Sequence, residues 1–593
     1  ADLSNVNFLQ ADNRALISED INEAEYTGVR ISGLWDINDN WTLLVSHQTQ
    51  DIESDGVFFA DPDLDDLQIQ RYANDRIEDN FSNTSWTLEG MIGELEVVYT
   101  GAFTDRETDQ IVDYSDYLFV GQYLPYYICD ASVTYPGAGV APSGTCQAPN
   151  LFVDSRTRTE TLTHEVRFLT DASRPWRVTA GAFFSDLELA ELNDFNYPGS
   201  VNVIGFDGVS TGFAPNFPLT NVDATGPVGN AAPGYFSDPG PFPQGVIFRN
   251  DVLRTDKQTG IFGEVTFDLN DEFSLLLGMR WYDIEVDLEG SANSSFSNLG
   301  GTTDAQAFGT NISAQFAPNN TVGAPDTAST DGTIFKVTLD WRPTDDHLLF
   351  ATVSEGFRPG LLNRPGGAAG PNNFTVPFAL DTDEVTNIEF GTKSSFFSNT
   401  LQLNSSLFFV DIERLQTTIF DPSITNLFFS DNAADAEVRG IEGNFIWLPQ
   451  FSDGWTITGA FSFLDTEITD VITPTNDVQV GDELAFAPGF QANIRARYEW
   501  GIGNQGWLAH IMPSLSYSDE AFSDIVTINR NRMDSWMIAN VTAGVTTDTW
   551  SAELFVSNLT DERAEVANSF VFDASRVTYS PPRTIGVRLS WDF

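Results

Sequence analysis

The chain has 593 residues, with Asp and Glu totalling 85 against 29 Lys and Arg, so its formal net charge at pH 7 is −56. A surface this acidic is repelled by a phosphate backbone, which excludes nucleic acid as a partner. No run of 18 apolar residues occurs, which excludes a helical membrane span, whereas a β-barrel spreads its lipid face over alternate positions and fits a mean hydropathy of −0.16.

Strand signals dominate from end to end, and helical periodicity is absent over any window longer than about two turns. Nine short turn signals punctuate the chain, at 35–41, 90–93, 170–174, 269–272, 342–346, 398–399, 449–454, 501–506 and 547–549. Between them run long excursions rich in Gly, Pro, Asn, Asp and Ser, at 110–157, 191–254, 289–331, 358–382 and 558–581. Antiparallel hairpins with one tight rim and one rim of elaborate loops give this alternation.

Within the segments apolar residues alternate with polar ones. Leu401, Leu403, Leu407 and Phe409 oppose Gln402, Asn404 and Ser406; Trp455, Ile457, Phe461 and Phe463 oppose Thr456, Thr458 and Ser462. The segment Trp550 to Ser557 does the same, and the chain closes on Ile585, Val587, Leu589, Trp591 and Phe593. One face of each segment is therefore greasy and the other wet.

Tryptophan brackets the tight turns: Trp35 with Trp41, Trp447 with Trp455, Trp500 with Trp507, and Trp176, Trp341, Trp550 and Trp591 nearby. A soluble sandwich or propeller would place Trp mid-strand in its core, and no blade-length repeat is present. Amphipathic rings at strand ends are those of a membrane–water boundary. Nine turns join eighteen strands, and the last segment, 582–593, makes nineteen. A chain that ends on the tight rim after an odd number of strands begins on the loop rim, so an odd number of strands is expected ahead of Ala1, with residues 1–24 the tail of an outer loop. Ala1-Asp2-Leu3 shows no signal peptide and reads as the start of a mature or truncated product.

Five segments resemble the TonB-dependent outer-membrane receptors. They are Ser354-Glu355-Gly356-Phe357-Arg358-Pro359-Gly360 with Asn363, the stretch Asp383 to Lys393, the stretch Asn432 to Gly443, Ser557-Asn558-Leu559-Thr560-Asp561-Glu562-Arg563, and Pro582-Arg583-Thr584 to Phe593. The sharp motifs lie in the last 240 residues or so; the first 350 match in architecture. The resemblance implies an all-β, transmembrane antiparallel β-barrel with short periplasmic turns and long extracellular loops, of which about 19 strands of an expected 22 are in residues 1–593. It also implies an N-terminal plug that is not in this sequence and that the TonB–ExbB–ExbD complex pulls through a TonB box. Location in the Gram-negative cell outer membrane follows, among lipid and lipopolysaccharide. So does active transport of a scarce chelate, an iron(III) siderophore being the commonest cargo. Uptake of an oligosaccharide, cobalamin or another nutrient on the same fold is the nearest alternative; a passive porin and a structural surface protein are the others. An aromatic last residue, Phe593, is by the same resemblance part of the barrel-assembly signal.

The residues suggest no covalent chemistry. Gly208-Val209-Ser210-Thr211-Gly212 has the spacing of a nucleophile elbow but sits in a Gly/Pro/Asn-rich excursion with no helix to follow. His47, His164, His347 and His510 are scattered, so no metal site or cofactor is expected. Asp61, Asp63, Asp65 and Asp66 lack the spacing of a calcium loop and read as a solvated acidic loop, which leaves bound Ca²⁺ unsupported. The excursion 110–157 gathers Tyr114, Tyr117, Tyr123, Tyr126, Tyr127 and Tyr135 around Cys129 and Cys146. Two unrelated thiols are one reading of the cysteines, a disulfide in an oxidising compartment the better one. Tyr rings offer contact area and hydrogen bonding at low entropic cost, so this loop is a candidate for small-molecule capture, with packing against its neighbours as the alternative. Arg358 and Asn363, just past a strand at the outer rim, are candidates to meet an anionic ligand, or to brace the wall.

Overall fold

The structure is a computed structural model that describes residues 5–9, 12–117, 143–202, 234–236, 243, 245–294, 308–419, 428–475, 477–503, 506–569 and 575–591. Among the described residues nineteen long strands follow one another in the sheet. They are β1 (Ala24–Asn38), β2 (Trp41–Asp55), β3 (Arg76–Ile92), β4 (Leu95–Asp113), β5 (Phe152–Thr170), β6 (Trp176–Asn196), β7 (Val246–Asp268), β8 (Phe273–Ser294), β9 (Ala328–Thr344) and β10 (His347–Arg358), then β11 (Asp383–Phe396), β12 (Leu401–Ile419), β13 (Phe429–Trp447), β14 (Trp455–Val471), β15 (Phe490–Ile502), β16 (Trp507–Ser518), β17 (Trp536–Thr546), β18 (Trp550–Ser557) and β19 (Thr584–Trp591). Each pairs antiparallel with the next, and the sheet is wound into a barrel; a short strand, Phe308–Asn311, adds to the upper end of β8. All nine predicted tight turns join strands, as β1–β2, β3–β4, β5–β6 and so on to β17–β18.

The wall is two-faced. On β19, Ile585, Val587, Leu589 and Trp591 point outward, at least 63% exposed. On adjacent β11 and β12, Phe390 and Leu407 stand opposite each other on the outside, 58% and 56% exposed, while Glu389, Lys393, Asn404 and Ser406 line the lumen. A continuous band of exposed apolar side chains is stable only against another apolar phase. At the tight-turn rim the band meets its girdle: Trp35, Trp176, Trp341, Trp500, Trp507 and Trp591 are all exposed, and Trp507 packs edge-on against Trp550 with ring centroids 5.6 Å apart. No described helix is long and apolar enough to cross a membrane.

Phe (47) and Gly (46) are abundant, and some of them pair across strands for a shared reason. Aromatic rings lie across glycines on the neighbouring strand: Phe350 over Gly391, Phe408 over Gly440, Phe555 over Gly586. A Cβ on Gly391 would sit 2.2 Å from the Phe350 ring. The ring covers the bare backbone and shields its ladder hydrogen bonds. Gly440→Val, with a Cβ 2.5 Å from Phe408, is expected to lower stability by about 1–3 kcal/mol through overpacking. A thermal melt in detergent micelles measures it.

The strands run further than turn-forming composition suggests. Ladders occupy 110–113 with 152–155, 191–196 with 246–252, 289–294 with 248–253, and 328–331 with 283–286, so strand runs well into the predicted excursions. Above the bilayer a wall wet on both sides needs no apolar alternation, so polar residues there form strands without the usual signal. The buried apolar core also lies at this end. Val376, Ile419, Phe429 and Ala433 form one cluster, and Ala434, Ile468, Val478, Ile525 and Val526 a second, both beneath the outer loops.

Among the described residues no ladder joins β1 to β19, and β1 is exposed from Glu25 to Asn38. The loop rim crosses this seam instead. Ala60, in the β2–β3 loop, exchanges backbone hydrogen bonds of 2.8 and 2.9 Å with Val577, which belongs to a small hairpin (Glu565–Ser569 with Arg576–Tyr579) in the β18–β19 loop. Arg563 binds Asp66 at 3.0 Å, and Arg576 donates twice to Asp116, at 2.8 and 2.5 Å.

Candidate functional site: the lumen and its outer mouth

The lumen holds a polar cavity of about 950 Å³ lined by β8 to β17. Half of its lining is Ser, Thr, Asn and Gln, and its charges are Lys336 on β9, Glu389 and Lys393 four residues apart on β11, and Glu442 on β13. Two of only three lysines in the chain are here. Such side chains exchange hydrogen bonds with water or cargo at little cost, which suits a passage more than a tight site.

Above it, the β10–β11 loop folds back into the barrel mouth, held by the motif residues. Asn363 is 4% exposed; its amide donates to Pro377 O (2.9 Å) and Ser430 O (2.7 Å), and its oxygen accepts from Ser430 N (3.0 Å). Asn432 accepts from Asp381 N and donates to Asp381 O and Arg414 O, at 2.8–2.9 Å, beside the fully buried Ala433, Ala434 and Ala436. Asn558 does the same for the β18–β19 loop, donating to Glu562 O and Pro581 O and accepting from Glu562 N. Arg358 lies against the buried Asp383, to which its Nε donates at 2.5 Å, and its other end reaches Gln416 O at 3.2 Å. These motif groups spend their polar atoms on fixing the loops. Asn363→Ala is therefore expected to cost about 1–3 kcal/mol and to free the 359–382 loop, seen as faster amide exchange there than in the barrel wall.

The predicted tyrosine loop is described only at its ends. Tyr114 packs edge-on against Phe195 at 5.5 Å, under the Arg576 guanidinium at 5.9 Å. Burial raises its hydroxyl above the ordinary value, with Arg576 opposing and Asp116 adding. Tyr117 ends the helical turn Ser115–Tyr117. Cys146 is fully buried and disulfide-bonded. Tyr123, Tyr126, Tyr127, Tyr135, Cys129, the segment 208–212 and Phe593 lie outside the described residues. Asp61 accepts from Asp63 N within its own loop, and Asp66 binds Arg563. Among the described residues no group of three or more His, Cys, Asp or Glu is arranged to hold a metal. His47 meets Thr84 and His164 meets Tyr99, each at 2.9 Å, and His510 lies 3.2 Å from Glu553.

A second cavity, about 280 Å³, opens at the mouth between β6, β7, β8, β12, β13 and the folded-back loop. Asn363 lines it, and so do Glu191 and Arg364, which the sequence reading passed over. Arg364 Nη1 donates to Asn250 Oδ1 at 2.6 Å, and its guanidinium lies 5.3 Å from the Phe248 ring. Burial pushes the Glu191 carboxyl above its ordinary range; Arg364 opposes the shift. A cation in a Gly/Pro-rich loop of a chain with few cations was the available signal.

The model of a family described as TonB-dependent receptor-like, β-barrel, matches residues 94–559. A curated relative from Acinetobacter baumannii, "Probable TonB-dependent siderophore receptor PiuA", is 21% identical over 343 residues, which are 54% of this chain and 39% of that protein. The match thus spans well under half of the relative's length. The ferric yersiniabactin uptake receptor FyuA from Yersinia pestis superimposes with a TM-score of 0.67 at 13% identity, over 96% of this chain and 71% of that one. The ferric citrate transporter FecA gives 0.64 at 12%, over 96% and 71%, and the copper transporter OprC 0.61 at 13%, over 96% and 72%. At these identities the structures share a fold. The family match covers 466 of 593 residues (559 − 94 + 1), and with nineteen consecutive antiparallel strands, a greasy outside and a polar lumen, the chain belongs to the TonB-dependent receptor-like β-barrel family.

Proposed function

We propose that this barrel is the wall of an energy-dependent importer in the Gram-negative outer membrane, with a ferric siderophore as its cargo. The observation that carries the reading is the polar cavity of about 950 Å³ inside a wall whose outside is apolar, a polar lumen within a greasy shell. Relatives described as siderophore or ferric-chelate receptors support the class of cargo. In this reading the outer loops capture the chelate, the barrel passes it inward without covalent chemistry, and the TonB complex supplies work through a plug inside the lumen.

The test is uptake of ⁵⁵Fe-labelled chelates by a deletion strain carrying the intact gene on a plasmid. Accumulation that saturates with chelate and stops when a protonophore collapses the inner-membrane gradient is the expected result. Non-saturating entry that ignores the protonophore would mark a passive pore, and no entry of any chelate would mark a structural role.

A further inference from the structure

The greasy outer wall is not even. On β6 to β9 the register sets two outward rows side by side, Val178, Val265, Leu277 and Val337 in the lower and Ala180, Gly263, Met279 and Phe335 in the upper. The upper row has almost no side chain at Ala180 and none at Gly263, where a Cβ would meet nothing closer than 4.0 Å. The lower row with Met279 and Phe335 stands around this gap and leaves an apolar groove of about 480 Å³. It lies on the face turned away from the lumen, because Leu277, Met279, Phe335 and Val337 are all exposed there while Lys336, between two of them, lines the polar cavity inside. Its volume is roughly sixteen water volumes of about 30 Å³ each, and a methylene is close to water in size.

We propose that this groove is a binding slot for one acyl chain of a phospholipid in the leaflet on the tight-turn side. The groove is continuous with the apolar band that faces the bilayer, so hydrocarbon is what reaches it, and its outward side chains offer no hydrogen bond or charge to hold a protein in register. Left empty, it forfeits the dispersion contacts of its lining; a straight chain restores them. Depth chooses the leaflet. Val178, Val265, Leu277 and Gly263 lie two to five residues above the tight-turn ends of their strands, about 5–13 Å up, between Trp176 and Trp341 at the rim. Phe335, nine residues above the end of β9, closes the groove at about 23 Å. A chain entering from the tight-turn side spans about 15 Å, half of the hydrocarbon core, and so ends below Phe335. The proposal needs the barrel in a membrane and is independent of its cargo.

The experiment is photolabelling of the full receptor in phospholipid vesicles that contain a trace of phosphatidylethanolamine with a diazirine midway along one acyl chain, mapped by peptide mass spectrometry. Peptides covering 261–279 are expected to carry several-fold more label than those covering 388–409, the even outer face of β11 and β12 at the same depth. Gly263→Leu fills the groove without a clash and is expected to bring the two faces level, with the heat-modifiable gel shift of the folded barrel unchanged. Val265→Phe narrows the groove from the lower row and is expected to do the same, so the result does not hang on the assembly of one variant. Equal labelling of the two faces in the unaltered receptor, or an excess that survives both G263L and V265F in folded barrels, overturns the slot. Lipopolysaccharide carrying the same diazirine is expected to label both faces alike; a preference for the groove from that probe puts an outer-leaflet lipid there and overturns the assignment.

Discussion

Asp113→Ala is expected to lower the unfolding free energy of the outer rim by about 3–6 kcal/mol. Asp113 ends β4 and has no exposed surface. Its carboxylate accepts from Tyr72 N and Ala73 N, at 2.5 and 2.7 Å, and from Ser115 N and Oγ, at 2.8 and 2.6 Å. Alanine leaves three half-buried backbone N–H groups, of Tyr72, Ala73 and Ser115, without their acceptor, each worth about 1–2 kcal/mol. The damage spreads, because these amides position the loop that carries Arg71 and Asp75. Arg71 and Arg576 both lie over the Phe59 ring, at 4.7 and 4.9 Å, and Arg576 holds Asp116. Losing Asp113 therefore loosens the clasp across the β1–β19 seam. Limited proteolysis cutting at 56–75, with the barrel wall intact, reads out this result; Asp113→Asn, which keeps one acceptor oxygen, falls between wild type and alanine.

Arginine at both Phe390 and Leu407 is expected to abolish barrel assembly in the membrane. Phe390 is six residues above the end of β11 at Phe396, which with a rise of about 3.3 Å and a tilt of about 40° places it about 15 Å above the tight-turn rim, near the bilayer midplane. Each Arg there costs about 2–4 kcal/mol, and the two would stand directly opposite, adding like-charge repulsion. The counterpart substitutions one residue away, Glu389→Arg and Ser406→Arg, face the lumen and are expected to assemble. The heat-modifiable gel shift of folded barrels separates the two pairs.

Much of this was legible in the sequence, because strand alternation and turn chemistry are local. The nine tight turns, the tryptophan girdle and the register of Ile585 to Trp591 all follow from neighbours in the chain. The clasp was not legible: Asp66 with Arg563 and Asp116 with Arg576 are 497 and 460 residues apart, and nothing local announces either pair. The phenylalanine–glycine pairs escaped for the same reason, since each joins two strands. Asn363 and Arg358 were singled out because they sit in a motif at the rim, and in the fold their polar atoms bond to the loops and strand ends around them. Arg364, one residue on, carries the charge that lines the mouth cavity, and only the folded-back loop reveals it. Polar strand extensions such as 191–196 were read as loop because, with water on both sides, their composition is that of a loop.

The account rests on hydrocarbon covering the outward face. Single spin labels along β11 and β12 of the receptor in lipid vesicles, probed with oxygen and with a water-soluble nickel chelate, test this directly. Positions 390 and 407 are expected to be open to oxygen and closed to nickel, 389 and 406 the reverse, with a period of two along each strand. Equal nickel access on both faces, in a preparation that stays monomeric without lipid or detergent, would contradict it.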